Sequence, residues 1–215
     1  MVNTYNKRMS VLNFGQIQVS SKDFNGAPYQ VVKNIDIDKV TLSNGIPANK
    51  NDMRYVIGYE VEQGKIIPLH IKTPKNCSSS GVRRYNKNSA WKMGFDVSED
   101  QAWIDQYKRV CERVEELLFY NLSGSPLNNG KYINPKLLTW NNEVKTRFVN
   151  GWHPRPEDIK HCYASGVLKI GSVYQQGCNY HLQVFLKECR TKEKEVVTFQ
   201  SQLSDSSDDE GYVTV

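Results

Sequence analysis

The chain is 215 residues long, 39% hydrophobic and 24% charged, which suits a folded, water-soluble body with a sizeable core. No run approaches the roughly 18 apolar residues of a membrane-spanning helix. The five cysteines, odd in number and widely spread, do not follow the pattern of a disulfide framework, so reduced thiols are expected. The net charge of +5 conceals an asymmetry: four of the 23 acidic residues (Asp205, Asp208, Asp209 and Glu210) sit near the C-terminus with no Lys or Arg after them. The rest of the chain is therefore more basic than the total suggests, which points to an anionic partner.

Residues 1–10 (MVNTYNKRMS) read as a flexible arm and lack the apolar core of a secretion signal, which predicts an intracellular protein. Residues 11–199 are expected to form one domain. Residues 11–19 alternate partly and predict a first strand. Asn25-Gly26 and Pro28 mark a turn, and 29–33 and 35–42 are short β-prone runs. Residues 54–62 (RYVIGYEVE) predict a strand, and Gln63-Gly64 turns tightly into 65–73, so the pair reads as a hairpin. Pro68 places the second strand at an edge or a bulge. The Ser-, Gly-, Asn- and Arg-rich middle that follows reads as a long loop leading to a strand over 89–97, whose core face is Trp91, Met93, Phe95 and Val97. Residues 98–122 predict a helix: Ser98 with Gln101 fits a capping box, and Trp103, Tyr107, Val110, Val114 and Leu117 make one apolar stripe.

Residues 131–166 mix aromatic and basic side chains, with short strands allowed at 137–140 and 144–149. Residues 167–175 and 180–188 read as strands joined by a turn at Gln176-Gly177, and 195–199 can add a last one. Residues 200–215 are rich in Ser and Asp and predict a disordered acidic tail. The expected class is α+β, mainly antiparallel β, with one long supporting helix and a sheet able to close into a barrel.

Residues 65–95 carry seven Lys and Arg and no Asp or Glu, with aromatic residues interleaved. Such a stretch can hold a flexible polyanion, because bases of a single-stranded nucleic acid stack on rings while cations follow the phosphates. The alternative is a solvated basic loop with its rings in the core. Lys72, Lys75, Arg83, Arg84, Lys87 and Lys92 are the candidate phosphate contacts. Tyr85 and Trp91 are the candidate stacking rings, Trp91 being equally a core residue by its alternation with Met93 and Phe95. Tyr132, Trp140, Arg147 and Trp152 form a second rank.

Cys178-x-x-His181 with His161, Cys162 and Cys189 has poor spacing for zinc. The Ser-Ser-Ser-Gly run lacks the pattern of a phosphate loop, Cys77 has no local base beside it, and no carboxylate pair stands in an apolar setting. Binding rather than catalysis is expected, without a cofactor or a metal.

The run Pro68-Leu69-His70-Ile71-Lys72-Thr73-Pro74-Lys75 resembles the apolar-strand-then-(Gln/Lys)-Thr-Pro-Lys signature of a single-stranded DNA-binding protein family of large double-stranded DNA viruses, a group to which the African swine fever virus protein is similar. Ser80-Gly81-Val82, the strand around Lys92–Asp96 and the helix after it follow in the same order, so the resemblance covers roughly residues 55–122. It implies an oligonucleotide/oligosaccharide-binding (OB) barrel, partly closed, that binds single-stranded DNA without sequence preference. It further implies a role in replication, recombination or repair in a viral factory, nucleus or virion. RNA stays open as a ligand. The acidic tail would recruit replication proteins. In the alternative reading the chain is an interaction adaptor whose ending, Val213-Thr214-Val215, fits a strand-adding groove.

Overall fold

A computed structural model describes residues 17–22, 28–149 except 88 and 142, and 158–193. The arm, the acidic tail, Trp152 and the strand expected at 195–199 lie outside the described residues.

The elements run β1 (Ile17–Lys22), β2 (Pro28–Val32), a 3-10 turn (Ile37–Lys39), β3 (Val40–Leu42), β4 (Ile46–Asn49), β5 (Asp52–Glu62), β6 (Lys65–Lys72), β7 (Cys77–Arg83), β8 (Lys92–Asp96) and α1 (Gln101–Leu118). The short strands β9 (Tyr132–Ile133), β10 (Lys136–Leu137), β11 (Thr139–Trp140), β12 (Glu143–Val144) and β13 (Arg147–Phe148) follow, and then the long strands β14 (Cys162–Gln176) and β15 (Asn179–Glu193).

Five strands close a ring: β7 pairs with β8, β8 with β10, β10 with β15, β15 with β14, and β14 with β7 again. Numbered by their order in the chain, ring neighbours run first, second, third, fifth, fourth and back to first. The third and fifth strands are parallel and every other pair is antiparallel. This is the Greek-key closure of an OB-type barrel. The hairpin of β5 and β6, turned at Gly64 with its φ of 79°, extends the sheet along the far part of β14, and β3 and β4 flank β5.

The long strands bend round the barrel through irregularities at Val167/Leu168 and Ile170/Ser172, since an extra residue on one strand locally increases twist. A Cβ at Gly171 would lie 3.1 Å from the Phe185 ring, which accounts for glycine at the second bend. Inward residues such as Leu168, Ile170, Val173 and Leu186 are fully buried and join Met93, Phe95 and Val97 of the β8 segment in one core.

Two expectations are corrected. The long cationic loop is interrupted by β7. Cys77, Ser79 and Val82 turn inward although Ser and Gly are poor strand formers. They are held in a strand by pairing to β8 on one side and β14 on the other. The helix starts later and ends sooner than its pattern suggests. Asp100, not Ser98, accepts from the Trp103 N–H at 2.9 Å, while Ser98 is engaged with Asp96, and Phe119 ends the helix in the left-handed region.

The buried stripe of α1 is Ile104, Tyr107, Val110, Cys111, Val114 and Leu118, packed on β3 and the 3-10 turn. Trp103 lies half-buried beside it. Its ring stacks on Tyr107 at 5.2 Å and its indole N–H donates to the Lys72 carbonyl at 2.6 Å, which ties the helix to the end of β6. Trp103→Ala is expected to cost about 2–3 kcal/mol of stability, read from chemical denaturation. An unchanged midpoint would remove the tie from the account.

β2 covers β6 through His70, which is buried, lies 5.1 Å from the Tyr29 ring and donates from Nδ1 to the Gln30 carbonyl at 3.1 Å. Burial pushes the imidazole pKa down to about 4. The Gln30 bond opposes that shift, and Lys169 and Lys187 add to it. Between the unfolded value near 6.5 and about 4, the unfolded chain binds the proton and the folded one does not, so stability is complete above this window and falls as pH drops through it. Acidification from pH 7 to pH 4 is expected to weaken the parent by on the order of 2–3 kcal/mol more than His70→Phe, measured by urea denaturation at each pH. Equal slopes would contradict the buried neutral imidazole.

Candidate nucleic-acid interface

The outward residues of β7 and β8 form the floor of a groove of about 980 Å³. Ser78 and Ser80 lie on one strand, and Lys92, Gly94 and Asp96 on the next. Gly94 keeps this floor open, because a Cβ there would stand 2.9 Å from Asn134 Oδ1 and 3.1 Å from Ser80 Oγ. One wall is the loop over 84–91 and the other includes Asn128, Asn129, Tyr132 and Asn134. Around Lys92, Tyr132 and Asn134 the groove continues into a pocket of about 200 Å³ that reaches Lys136 and His181.

The loop is shaped by Arg84. Its Nε donates to the Ser89 carbonyl at 2.9 Å, and its guanidinium lies 5.3 Å from the centre of the Trp91 ring. Ser89 Oγ donates to Asn86 at 2.8 Å. Trp91 packs half-buried against the core beneath this cation, whereas Tyr85 stands out at the rim, 95% exposed.

The cations form a row. Arg83 is directly opposite Lys92 across β7 and β8, and Lys92 is directly opposite Lys136 across β8 and β10. Neighbouring strands are about 4.8 Å apart, and like charges directly opposite one another repel. Lys136 is half-buried and donates to Gln183 Oε1. Burial first, then Lys92, lowers the pKa of its ammonium. The row is thus held under repulsion that an anion would relieve. Asp96 is the single carboxylate in the groove lining among the described residues. Burial alone would raise its pKa, but hydrogen bonds from the Ser98 hydroxyl and N–H, the charge of Lys131 and the Tyr132 hydroxyl outweigh burial and hold it low. Its charge is therefore spent locally. Lys131 also lies 5.0 Å from the centre of the Tyr132 ring.

Of the residues singled out in the sequence, the groove brings together Arg83, Arg84, Tyr85, Lys92 and Tyr132. Lys75 lines a small depression that adjoins it at Ser78 and Asp96. Lys72 is exposed at the end of β6, and Lys87 is exposed on the loop. Trp91 is a support under Arg84. Trp140 is 70% exposed on the β11–β12 hairpin, outside the groove, and Arg147 lies on β13, 4.0 Å from Glu188. The groove and its adjoining pocket add Asn128, Asn134 and Lys136, which no local pattern marks, and His161 and His181, which the sequence offers only among residues poorly spaced for zinc. None of the five cysteines, all among the described residues, is in a disulfide, Cys178 alone is exposed, and no group of three or more His, Cys, Asp or Glu among the described residues could hold a metal ion.

Fold and groove together define an OB-type barrel with a basic, aromatic-edged face on its first and second ring strands, continued by the adjoining pocket to Lys136 on the third, an architecture used to bind oligonucleotides and oligosaccharides. No known protein family's sequence profile matches the chain, and no curated protein sequence is similar to it.

Proposed function

We propose that the protein binds single-stranded DNA without sequence preference across the outer face of β7, β8 and β10. On the resemblance carried by Pro68–Lys75, it would serve replication, recombination or repair in a large DNA virus. The observation that carries the reading is the Arg83–Lys92 pair beside Tyr85 and Tyr132 in the groove, with the row continued by Lys136 in the adjoining pocket. In an OB barrel the second and third strands with the loop between the first and second make the ligand face; here these are β8, β10 and the loop over 84–91. The cations would meet successive phosphates, and an unstacked base has the exposed face of Tyr85 to lie on. A duplex keeps its bases stacked within itself and gains only the charge interaction. The Ser and Asn side chains of the floor and wall donate and accept alike, so they suit any base.

The test is fluorescence anisotropy with a labelled oligothymidylate, its duplex with oligodeoxyadenylate, and the matching oligouridylate. Single-stranded DNA is expected to bind more tightly than duplex, with log K falling against log salt at a slope of about −2 to −3 for three or four phosphate contacts. Equal affinity for the duplex, or a flat salt series, overturns the reading. The oligouridylate ranks RNA against DNA.

A further inference from the structure

The geometry points to a strand-end subsite: the pocket between Lys92, Lys136 and the loop over 122–126 takes the terminal phosphate of a strand, so that ends bearing a phosphomonoester are preferred. This inference rests on the single-strand reading of the groove. Four residues, Lys92, Asn128, Tyr132 and Asn134, line both the groove and the pocket, so the two form one path. At about 200 Å³ against about 980 Å³, the pocket suits one phosphate and its sugar rather than a run of nucleotides. Tyr107 of α1 and the loop residues Leu122 to Pro126 wall it.

Its charge selects the ligand. Among the described residues Lys92, Lys136 and His181 line it and no carboxylate does. The two ammonium groups belong to directly opposed residues on β8 and β10, so each raises the energy of the other. An ammonium has three donors, of which Gln183 takes one from Lys136. An internal phosphodiester brings one negative charge. A terminal phosphate carries about −1.5 to −2 near pH 7 and three acceptor oxygens. It therefore satisfies two facing ammonium groups where a diester satisfies one, and the Asn128 and Asn134 amides add donors at the entrance.

The experiment compares oligothymidylates of about eight nucleotides, within the usual OB site size, labelled at one end and carrying either a phosphate or a hydroxyl at the other, in both polarities. A hydroxyl-ended strand one nucleotide longer controls for the added phosphorus. One polarity of terminal phosphate is expected to tighten binding roughly tenfold, and the longer control by much less. Lys136→Gln should bring the phosphate-to-hydroxyl ratio close to one, whatever it does to binding as a whole, while Lys136→Arg keeps most of the ratio. The inference is overturned if phosphate-ended and lengthened strands bind alike, or if Lys136→Gln leaves the ratio unchanged. Free thymidine monophosphate should compete weakly, lacking the groove contacts. Competition as strong as that of the phosphate-ended strand would make a mononucleotide the ligand and overturn the strand-end assignment. If no oligonucleotide binds at all, the single-strand reading falls first and this inference with it.

Discussion

The double variant Arg83→Glu with Lys92→Glu is expected to weaken single-strand binding by roughly a hundredfold or more at moderate salt, with the fold intact. The two residues face each other across β7 and β8 and both line the groove. Reversal would turn the two proposed phosphate contacts into two repulsions, at one end and the middle of the row. Both side chains are exposed, and one like-charged pair replaces another, so the melting temperature should barely move. Arg84→Glu is a less direct probe. Arg84 holds Ser89 and covers Trp91, so its loss would loosen the loop as well as remove a charge. The control is Lys65→Glu with Lys72→Glu, the same charge change on β6 and outside the groove lining. If the control weakens binding as much as the row variant does, attraction is spread over the whole basic body and the groove has no special part.

The largest effect on stability is expected from Gly81→Ala, a loss of about 3 kcal/mol or more, seen as a fall in melting temperature of roughly 6–12 °C. Gly81 has a φ of 81°, in the left-handed region that L side chains avoid. A Cβ there would stand 2.1 Å from the Ile159 carbonyl oxygen and 2.7 Å from Lys160 Cα, and neither backbone can yield as a flexible side chain would. The same contact carries the Val82 N–H to Ile159 carbonyl bond of 2.8 Å, so moving the chains apart breaks it. The irregularity at Gly81 also sets the direction in which Arg83 leaves the strand, and oligonucleotide affinity should fall alongside stability. Gly64→Ala is the reference. It too has positive φ, but nothing lies within 4 Å of its Cβ position, so only the backbone cost of about 1 kcal/mol applies. If the two variants lose the same stability, the close approach at Ile159 does not constrain the fold.

These two positions differ in how far the sequence exposes them. The acid-free basic stretch containing Arg83 and Lys92 is plain in the sequence, and so is the alternation that turns Met93, Phe95 and Val97 inward and Lys92, Gly94 and Asp96 outward. The turns at Gln63-Gly64 and Gln176-Gly177 and the body of α1 are legible for the same reason: each rests on contacts a few residues apart. Local propensity, by contrast, argues against β7. Cys77-Ser78-Ser79-Ser80 becomes a strand because two partners, one of them 83 residues further on in the pair Ser79–Cys162, satisfy its backbone groups.

The cationic row depends on distant pairing as well. Lys136 stands opposite Lys92 because the short β10 fits between β8 and β15, and that placement requires the ring to close. Trp140 and Arg147 lie in the same basic and aromatic region of sequence as Lys136, yet the structure carries them to the β11–β12 hairpin and the β13 edge, away from the groove. By itself the sequence determined the alternating faces, the tight turns, the helix and the sign of the charge, all set by short-range chemistry. The tertiary structure alone decided which strands neighbour one another, and hence which cations share a row, because those pairings are set by where the whole apolar set can be buried at once.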